Sequence, residues 1–274
     1  MRLPLTLAVL FALPGAAAAE EQCKFSEPRS LELQLAGVKS VLFEVGSNDL
    51  RLDAAPGTGG RLHGRACAAK SELLKHLNVT QKRVGDKLVV TLAEDRLIRM
   101  SIGENYSYLD LRGSVPNTLL VQFDVGSGDA EITGAAAVSA DVGSGDMAIR
   151  RSKGRVTAKV GSGDIELEDI GSLRALAVGS GDLKARQIHG ATEVGTVGSG
   201  DVKLRGMAGN VSVGTVGSGD VEIEDVQGSV VIEAIKSGSI QVRKVSGDVS
   251  LARKGSGDIS ASDVGGAVRV PADK

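Results

Sequence analysis

The sequence predicts an all-β fold, a single-chain β-solenoid (β-helix) of about eight coils of 17–19 residues with a less regular β-rich N-terminal portion. Three observations predict it. A glycine-rich motif recurs at nearly constant spacing, apolar and polar residues alternate after each copy, and the 274 residues include 37 glycines but only 2% aromatics. Many turns and few bulky core residues are typical of small stacked units.

The repeated motif is Gly-Ser-Gly-Asp. Successive copies are 17, 18, 18, 19 and 19 residues apart, and a final gap of 38 contains the degenerate copy Ser237–Ser239, which divides it into two intervals of 19. The segment Gly46–Asp49, Gly-Ser-Asn-Asp, resembles an outlying copy, so we expect the N-terminal region to share the same kind of structure. The aspartates of the full motif are Asp129, Asp146, Asp164, Asp182, Asp201, Asp220 and Asp258.

Each unit contains two short strands. In Asp220–Glu224, Val221 and Ile223 point to one side and the two glutamates to the other, which is the period of a half-buried strand. Another apolar residue follows about six positions after the aspartate, then a glycine turn and a second alternating stretch. Such a pair cannot bury its apolar side alone, so equivalent strands must stack about 4.8 Å apart. A β-propeller with two units per blade is the remaining alternative.

The chain divides into three segments. Residues 1–19 are typical of a signal peptide, with Arg2, an apolar run from Leu3 to Leu13 and a small-residue cleavage site ending at Ala19. Residues 20–118 are predicted to form a β-rich capping portion, with strands at 39–45, 87–92 and 106–112 and a helical turn at 70–77. Residues 119–274 form the regular solenoid. The protein is expected to be exported, whether periplasmic, cell-surface or secreted, without a transmembrane segment.

The two cysteines belong to the N-terminal portion. In an oxidising compartment, Cys23 and Cys67 most simply form one disulfide, which would close a loop in that region. Two free thiols are the alternative.

The combination of an N-terminal strand region, Val115–Pro116 and runs of Gly-Ser-Gly-Asp followed by alternating apolar residues resembles the bacterial putative-adhesin family of β-strand repeat proteins, a domain of unknown function. The bactofilins are more distantly similar in architecture. The resemblance covers nearly all of the chain after the leader. It implies an exported or surface β-solenoid and identifies no ligand.

The motif aspartates are the one group of residues in the sequence that could bind a cation. Carboxylates stacked about 4.8 Å apart repel one another, and a divalent cation would relieve that repulsion. Calcium-binding β-roll repeats place the aspartate one position later, however, and Ser239 replaces it in one coil. We favour turn structure, in which Asp and Ser accept hydrogen bonds from turn amides and the glycines supply positive φ. No metal or cofactor site is predicted.

Composition and motifs point away from catalysis. The net charge of −2 gives no basic field for nucleic acid. The leading hypothesis is a non-catalytic exported adhesin-like protein whose faces engage a surface, a polysaccharide, a protein or copies of itself. The alternative is a self-assembling envelope scaffold, because solenoid ends carry unpaired strand edges. A carbohydrate-active enzyme ranks third, since the glutamate pairs at 166 and 168 and at 222 and 224 are most simply solvated strand faces.

Overall fold

The computed structural model describes residues 23–94 and 106–271, and over these residues it is an all-β solenoid, which confirms the predicted fold. The predicted signal peptide, residues 1–19, lies outside the described residues. The division at residue 118 stays a proposal.

The N-terminal portion contains the three predicted strands and the predicted helical turn, a 3₁₀ helix at Ser71–His76. Leu73 and Leu74 of this helix are buried. The strands are β1 (Phe25–Glu32), β2 (Ser40–Gly46), β3 (Asp49–Ala55), β4 (Arg61–Ala68), β5 (Leu77–Val84), β6 (Lys87–Glu94) and β7 (Ser107–Pro116).

The repeats supply two strands per coil. They are β8 (Leu120–Val125), β9 (Ala130–Thr133), β10 (Ala137–Val142), β11 (Asp146–Arg150), β12 (Arg155–Val160), β13 (Asp164–Ile170), β14 (Ser172–Val178), β15 (Leu183–Ile188) and β16 (Thr192–Val197). The later coils add β17 (Val202–Met207), β18 (Val211–Val216), β19 (Asp220–Val226), β20 (Val230–Ile235), β21 (Ser239–Val245), β22 (Val249–Lys254), β23 (Asp258–Val264) and β24 (Val268–Arg269).

The strands form two sheets of twelve. Sheet A runs β1-β4-β7-β3 and then through the odd-numbered strands β9 to β23, whereas sheet B runs from β24 through the even-numbered strands to β8, then β2-β6-β5. From β8 onward each strand pairs in parallel with its equivalent in the next coil, so that Val221 lies beside Val202 and Ile240. Because the N-terminal strands continue both sheets, the outlying copy at Gly46–Asp49 joins the same stack, with β3 beside β9.

The core lies between the two sheets and consists of aligned aliphatic columns. Ile223 is fully buried, as are its neighbours Leu204 and Val242 in the coils before and after. Near the N-terminal end, where the coils are less regular, Phe43 and Phe123 stack with ring centroids 5.7 Å apart. The alternating pattern therefore predicts correctly which side of each strand is buried.

From β9 onward, the backbone adds a further inward-facing column at the end of each sheet A strand. One residue per coil adopts the left-handed conformation, and it lets the next residue turn inward although this breaks the alternation of period two. In β13, Asp169 has φ 55° and Ile170 is fully buried. The column of left-handed residues is Gly134, Arg151, Asp169, Gln187, Gly206, Asp225, Lys244 and Asp263.

The structure corrects the prediction that the motif glycines supply positive φ. None of the glycines of the full Gly-Ser-Gly-Asp copies has positive φ; among the described motif positions, Gly46 of the outlying copy does, at 63°. They are glycine because the coils stack too closely for a side chain: a Cβ on Gly181 would lie 1.8 Å from the carbonyl oxygen of Gly163. The prediction of positive φ was therefore wrong, since backbone approach between coils decides the residue type.

Candidate functional site

The motif aspartates form one column that runs from coil to coil at the starts of the sheet A strands. In every coil before the last full copy of the motif, the aspartate carboxylate accepts a hydrogen bond from the backbone N–H of the equivalent residue in the next coil, as from Asp182 N–H to Asp164 Oδ1 at 3.0 Å. Asp49 starts the column, and Ser239 continues it by donating its hydroxyl to Asp220 at 2.7 Å. These bonds show what the aspartates do structurally. A cation ladder over them stays the alternative that the sequence did not favour.

Two further columns of side chains point outward beside the aspartates, and together the three columns make up the charged face. The first contains Arg51, Glu131, Ala148, Glu166, Lys184, Lys203, Glu222, Gln241 and Ser260. The second contains Asp53, Thr133, Arg150, Glu168, Arg186, Arg205, Glu224, Arg243 and Ser262. One residue from each column appears per coil, so the face repeats at the strand spacing of about 4.8 Å.

The middle of the charged face is banded. In β15 and β17, four basic residues lie directly side by side, Lys184 beside Lys203 and Arg186 beside Arg205. We call them the basic rows. Acidic residues flank them on both sides: Glu166 and Glu168 in β13, Glu222 and Glu224 in β19.

The ion pairs of the basic rows are uneven. Arg186 reaches Glu166 at 2.7 Å and Arg205 reaches Glu224 at 2.7 Å. Lys184 lies 3.6 Å from Asp182 of its own coil. Lys203 makes no ion pair within the described part of the chain, and its neighbour in β15 is another lysine, Lys184. Like charges opposite one another on adjacent strands are destabilising, so Lys184 and Lys203 repel each other.

The basic rows were missed in the sequence analysis, although the sequence carries a signal for them. Lys184-Ala-Arg186 and Lys203-Leu-Arg205 stand at the same two positions after the motif aspartates Asp182 and Asp201. The repeat of 19 residues therefore aligns them once the solenoid is recognised.

The glutamates of both pairs, by contrast, form ion pairs with arginines of neighbouring coils. Glu224 accepts a hydrogen bond from Lys244 at 3.0 Å, and this bond, with help from Arg205, lowers the pKa of Glu224 from its ordinary value. Glu166 and Glu168 both contact Arg186. The acid of a glycosidase needs a raised pKa, so the shift of Glu224 is in the wrong direction for that role.

The two cysteines meet in the structure. The Sγ atoms of Cys23 and Cys67 lie 2.06 Å apart, which joins the residues before β1 to β4. The oxidation state of the purified protein stays a prediction. A mass decrease of two hydrogens relative to the reduced protein would establish the bond, whereas free thiols that react with a maleimide would contradict it.

The fold and its repeated face define a β-solenoid repeat protein. The model of the Toastrack DUF4097 family matches residues 86–270, about two thirds of the chain, and the protein belongs to this family, a domain of unknown function. This agrees with the resemblance seen in the sequence. No curated protein matches the chain. No helix in the described ranges is long and apolar enough to cross a membrane.

Several solved structures are similar to the chain. A putative lipid binding protein from Parabacteroides distasonis matches with 19% identity and a TM-score of 0.43, covering 89% of this chain and 97% of its own. A putative adhesin from Bacteroides fragilis matches with 17% identity and a TM-score of 0.30, covering 90% and 98%. A putative adhesin from Parabacteroides merdae matches with 11% identity and a TM-score of 0.37, covering 90% and 96%. Similarity at this level transfers no ligand or partner.

Proposed function

We propose that the protein is a non-catalytic, exported, adhesin-like interaction protein that binds an extended anionic partner, such as an acidic polysaccharide, on the charged face. The observation that carries the proposal is the pair of basic rows, in which Lys184 and Lys203 lie side by side. A carboxylate or sulfate between the two ammonium groups would remove their repulsion and supply the acceptor that Lys203 lacks within the described residues.

The regularity of the face suits a polymer better than a small molecule. Side chains recur every coil on strands held rigidly by ladder hydrogen bonds, so little side-chain and backbone order has to be acquired on binding. Acidic and basic side chains nearly balance in the two outward columns, and the aspartate column makes the charged face as a whole acidic. Binding should therefore depend on short-range pairing at the basic rows, with a strong dependence on salt.

The experiment compares two double variants that remove equal charge. Lys184→Gln with Lys203→Gln alters the basic rows, whereas Lys153→Gln with Lys159→Gln alters the turn after β11 and the outer face of sheet B. Binding to polygalacturonate and to dextran sulfate at low salt should weaken about tenfold in the first variant and stay unchanged in the second. Neutral dextran is the polymer control.

Three outcomes would contradict the proposal. Equal weakening by both double variants would mean that net charge and not the basic rows holds the polymer. Equal binding of neutral dextran would remove the role of the anion. Failure of the unaltered protein to bind either anionic polymer would reject an acidic polysaccharide as the partner.

The alternative function is a structural scaffold that assembles through the end of the solenoid. One observation favours it: the last coil leaves core residues exposed, with Val268 50% and Val270 38% accessible. This assembly does not need the charged face, so the two functions can be tested separately.

A further inference from the structure

We propose that the anionic partner of the basic rows is a sugar chain that crosses the solenoid parallel to the strands and places an uncharged unit over Gly206. This mode of binding rests on the proposed function and deepens it, because it defines which acidic polysaccharides fit the charged face. Those in which charged units alternate with neutral ones match both parts of the path, the basic rows and a groove that begins beside them.

The acidic residues around the basic rows set the direction of the chain. The basic side chains stand on two neighbouring strands, β15 and β17. An anionic chain that followed the solenoid axis would next meet the carboxylates of Glu166 or Glu222, about 4.8 Å away in the adjacent coils, and would be repelled. A chain parallel to the strands passes instead from the two lysines to the two arginines. Because Asp182 and Asp201 stand at the lysine end of the rows, the chain continues beyond the arginines.

A groove begins where the basic rows end. Gln187 follows Arg186 and Gly206 follows Arg205, and both of these following residues belong to the left-handed column. The groove has a volume of about 980 Å³ and extends past His189, at the corner between the two sheets. A chain that leaves the arginines along the strand direction therefore enters this groove.

The glycine at position 206 leaves the groove open. Between Arg151 and Asp263, the other members of the left-handed column all carry side chains. Apart from its chain neighbours, a Cβ on Gly206 would have within 4 Å only the backbone of Gln187, at 3.6 Å or more. The space above Gly206 is therefore free for a ligand, between the side chains of Gln187 and Asp225 in the adjacent coils.

The groups around this space suit an uncharged sugar better than a second anion. The side-chain amides of Gln187 and Gln227 make no hydrogen bond within the described residues, so their donors and acceptors are available to hydroxyl groups. The carboxylate of Asp225 accepts hydrogen bonds from hydroxyls and repels an anion. The ammonium group of Lys244, which also lines the groove, is already paired with Glu224 at 3.0 Å. A neutral unit therefore fits here, next to a charged unit on the arginines.

The length of the path sets the number of sugar units. From Lys184 to His189 the strand and its corner cover no more than about 17 Å. With bonds of about 1.5 Å, one sugar unit advances a chain by roughly 5 Å. Affinity should therefore rise with chain length up to about four units and then level off, because further units lie beyond both parts of the path.

Titration calorimetry of the purified protein, expressed from its full sequence, compares two series of oligosaccharides of increasing length. Hyaluronan oligosaccharides alternate a carboxylated unit with an uncharged one, whereas oligogalacturonides carry a carboxylate on every unit. The hyaluronan tetrasaccharide should bind at least about threefold more tightly than the galacturonate tetramer, despite its lower charge. Its affinity should equal that of longer hyaluronan chains, counted per binding site.

Gly206→Asn fills the space over the groove, since asparagine adopts the left-handed conformation more readily than most residues with a side chain. It should weaken binding of the hyaluronan tetrasaccharide about tenfold. Ala252→Asn adds the same side chain at an exposed position of β22 and is the matched control, with unchanged binding. Gln227→Ala alters no glycine and removes one amide from the groove, and it should weaken binding about threefold.

Unchanged binding of the tetrasaccharide in Gly206→Asn and Gln227→Ala would overturn the proposal. So would tighter binding of the fully charged series, or an affinity that keeps rising with chain length. In each of these cases Lys184→Gln with Lys203→Gln would still weaken the binding of anionic chains, and the proposed function would stand. Failure of the unaltered protein to bind either series would overturn both.

Discussion

The two ends of the solenoid differ in how they cover the core. At the N-terminal end, β1, the 3₁₀ helix and β5 close the stack, and the guanidinium of Arg29 donates to the carbonyl oxygens of Leu74 and Leu77 at 2.7 and 2.8 Å. Gln81 of β5 donates to the carbonyl of Glu32 at 2.7 Å, which links the edges of the two sheets. At the C-terminal end the described residues form no such closure.

The difference shows that a core residue of this fold is buried only where another coil is stacked next to it, whatever its own position in the repeat. Ile240 and Ile259 occupy equivalent positions in adjacent coils, yet the first is 1% exposed and the second only partly buried. Each repeat is stabilised by its interfaces with the neighbouring repeats, so its stability depends on what is stacked on each side of it.

The largest expected effect comes from placing a charge in an interior coil. Ile223→Asp should destabilise the fold by more than about 4 kcal/mol, because the carboxylate would be buried without a partner. The same change at the C-terminal end, Ile259→Asp, should cost about 1 kcal/mol, and Glu222→Ala on the charged face less than about 0.5 kcal/mol. Urea unfolding measures all three. Equal effects of the two isoleucine changes would contradict the role of the neighbouring coil.

The next largest effect comes from the close approach of coils. Gly181→Ala should destabilise by about 3 kcal/mol or more, because its Cβ would lie 1.8 Å from the oxygen of Gly163 and the coils must separate. Gly59→Ala, where no atom lies within 4 Å of the new Cβ, is the control and should be nearly silent. Thermal unfolding compares the two. A mild effect at Gly181 would mean that the coils shift apart easily.

These glycines also show how far the sequence could be interpreted. The motif spacing and the alternation of Val221 and Ile223 were sufficient for the solenoid and its buried side, because both follow from local geometry. The reason for the glycines was misjudged, since contact between Gly181 and Gly163 exists only after stacking. The left-handed column was missed, although a buried residue at Ile170, three positions after Leu167, was its signal. The basic rows needed the register between coils.

Closure of the N-terminal end can be weakened at one side chain. Arg29→Ala should destabilise the protein by about 2 kcal/mol, because it removes two charge-assisted hydrogen bonds and leaves the carbonyls of Leu74 and Leu77 without them. Arg269→Ala, which removes an exposed pair with Asp248 at the C-terminal end, should cost much less. Hydrogen exchange of β5 and β22 locates each effect. Similar losses at both ends would count against a specialised cap.

A smaller effect of opposite sign is expected in the left-handed column. Gln187 has φ 58°, a conformation that costs a residue with a side chain about 1 kcal/mol relative to glycine. Gln187→Gly should therefore raise the free energy of unfolding by up to about 1 kcal/mol, whereas Glu193→Gly in the interior of β16 should lower it by about 0.5–1 kcal/mol. Destabilisation by both changes would show that the Gln187 side chain offsets the backbone strain.

The smallest effect is a response to pH that differs between the ends. The hydrogen bond from Arg269, and then the N–H of Ala267, lower the pKa of Asp248 from 3.8, so its contribution holds the last coil above that pH and is lost as pH falls through the lowered value. Burial raises the pKa of Asp49 from 3.8, so that ionisation there weakens the fold as pH rises through this region. As pH falls below 3.8, amide protection factors, which correct for the intrinsic pH dependence of exchange, should fall around Ala267 and not around Asp49. Asp248→Asn should abolish this fall, and its persistence in that variant would assign the opening to another group.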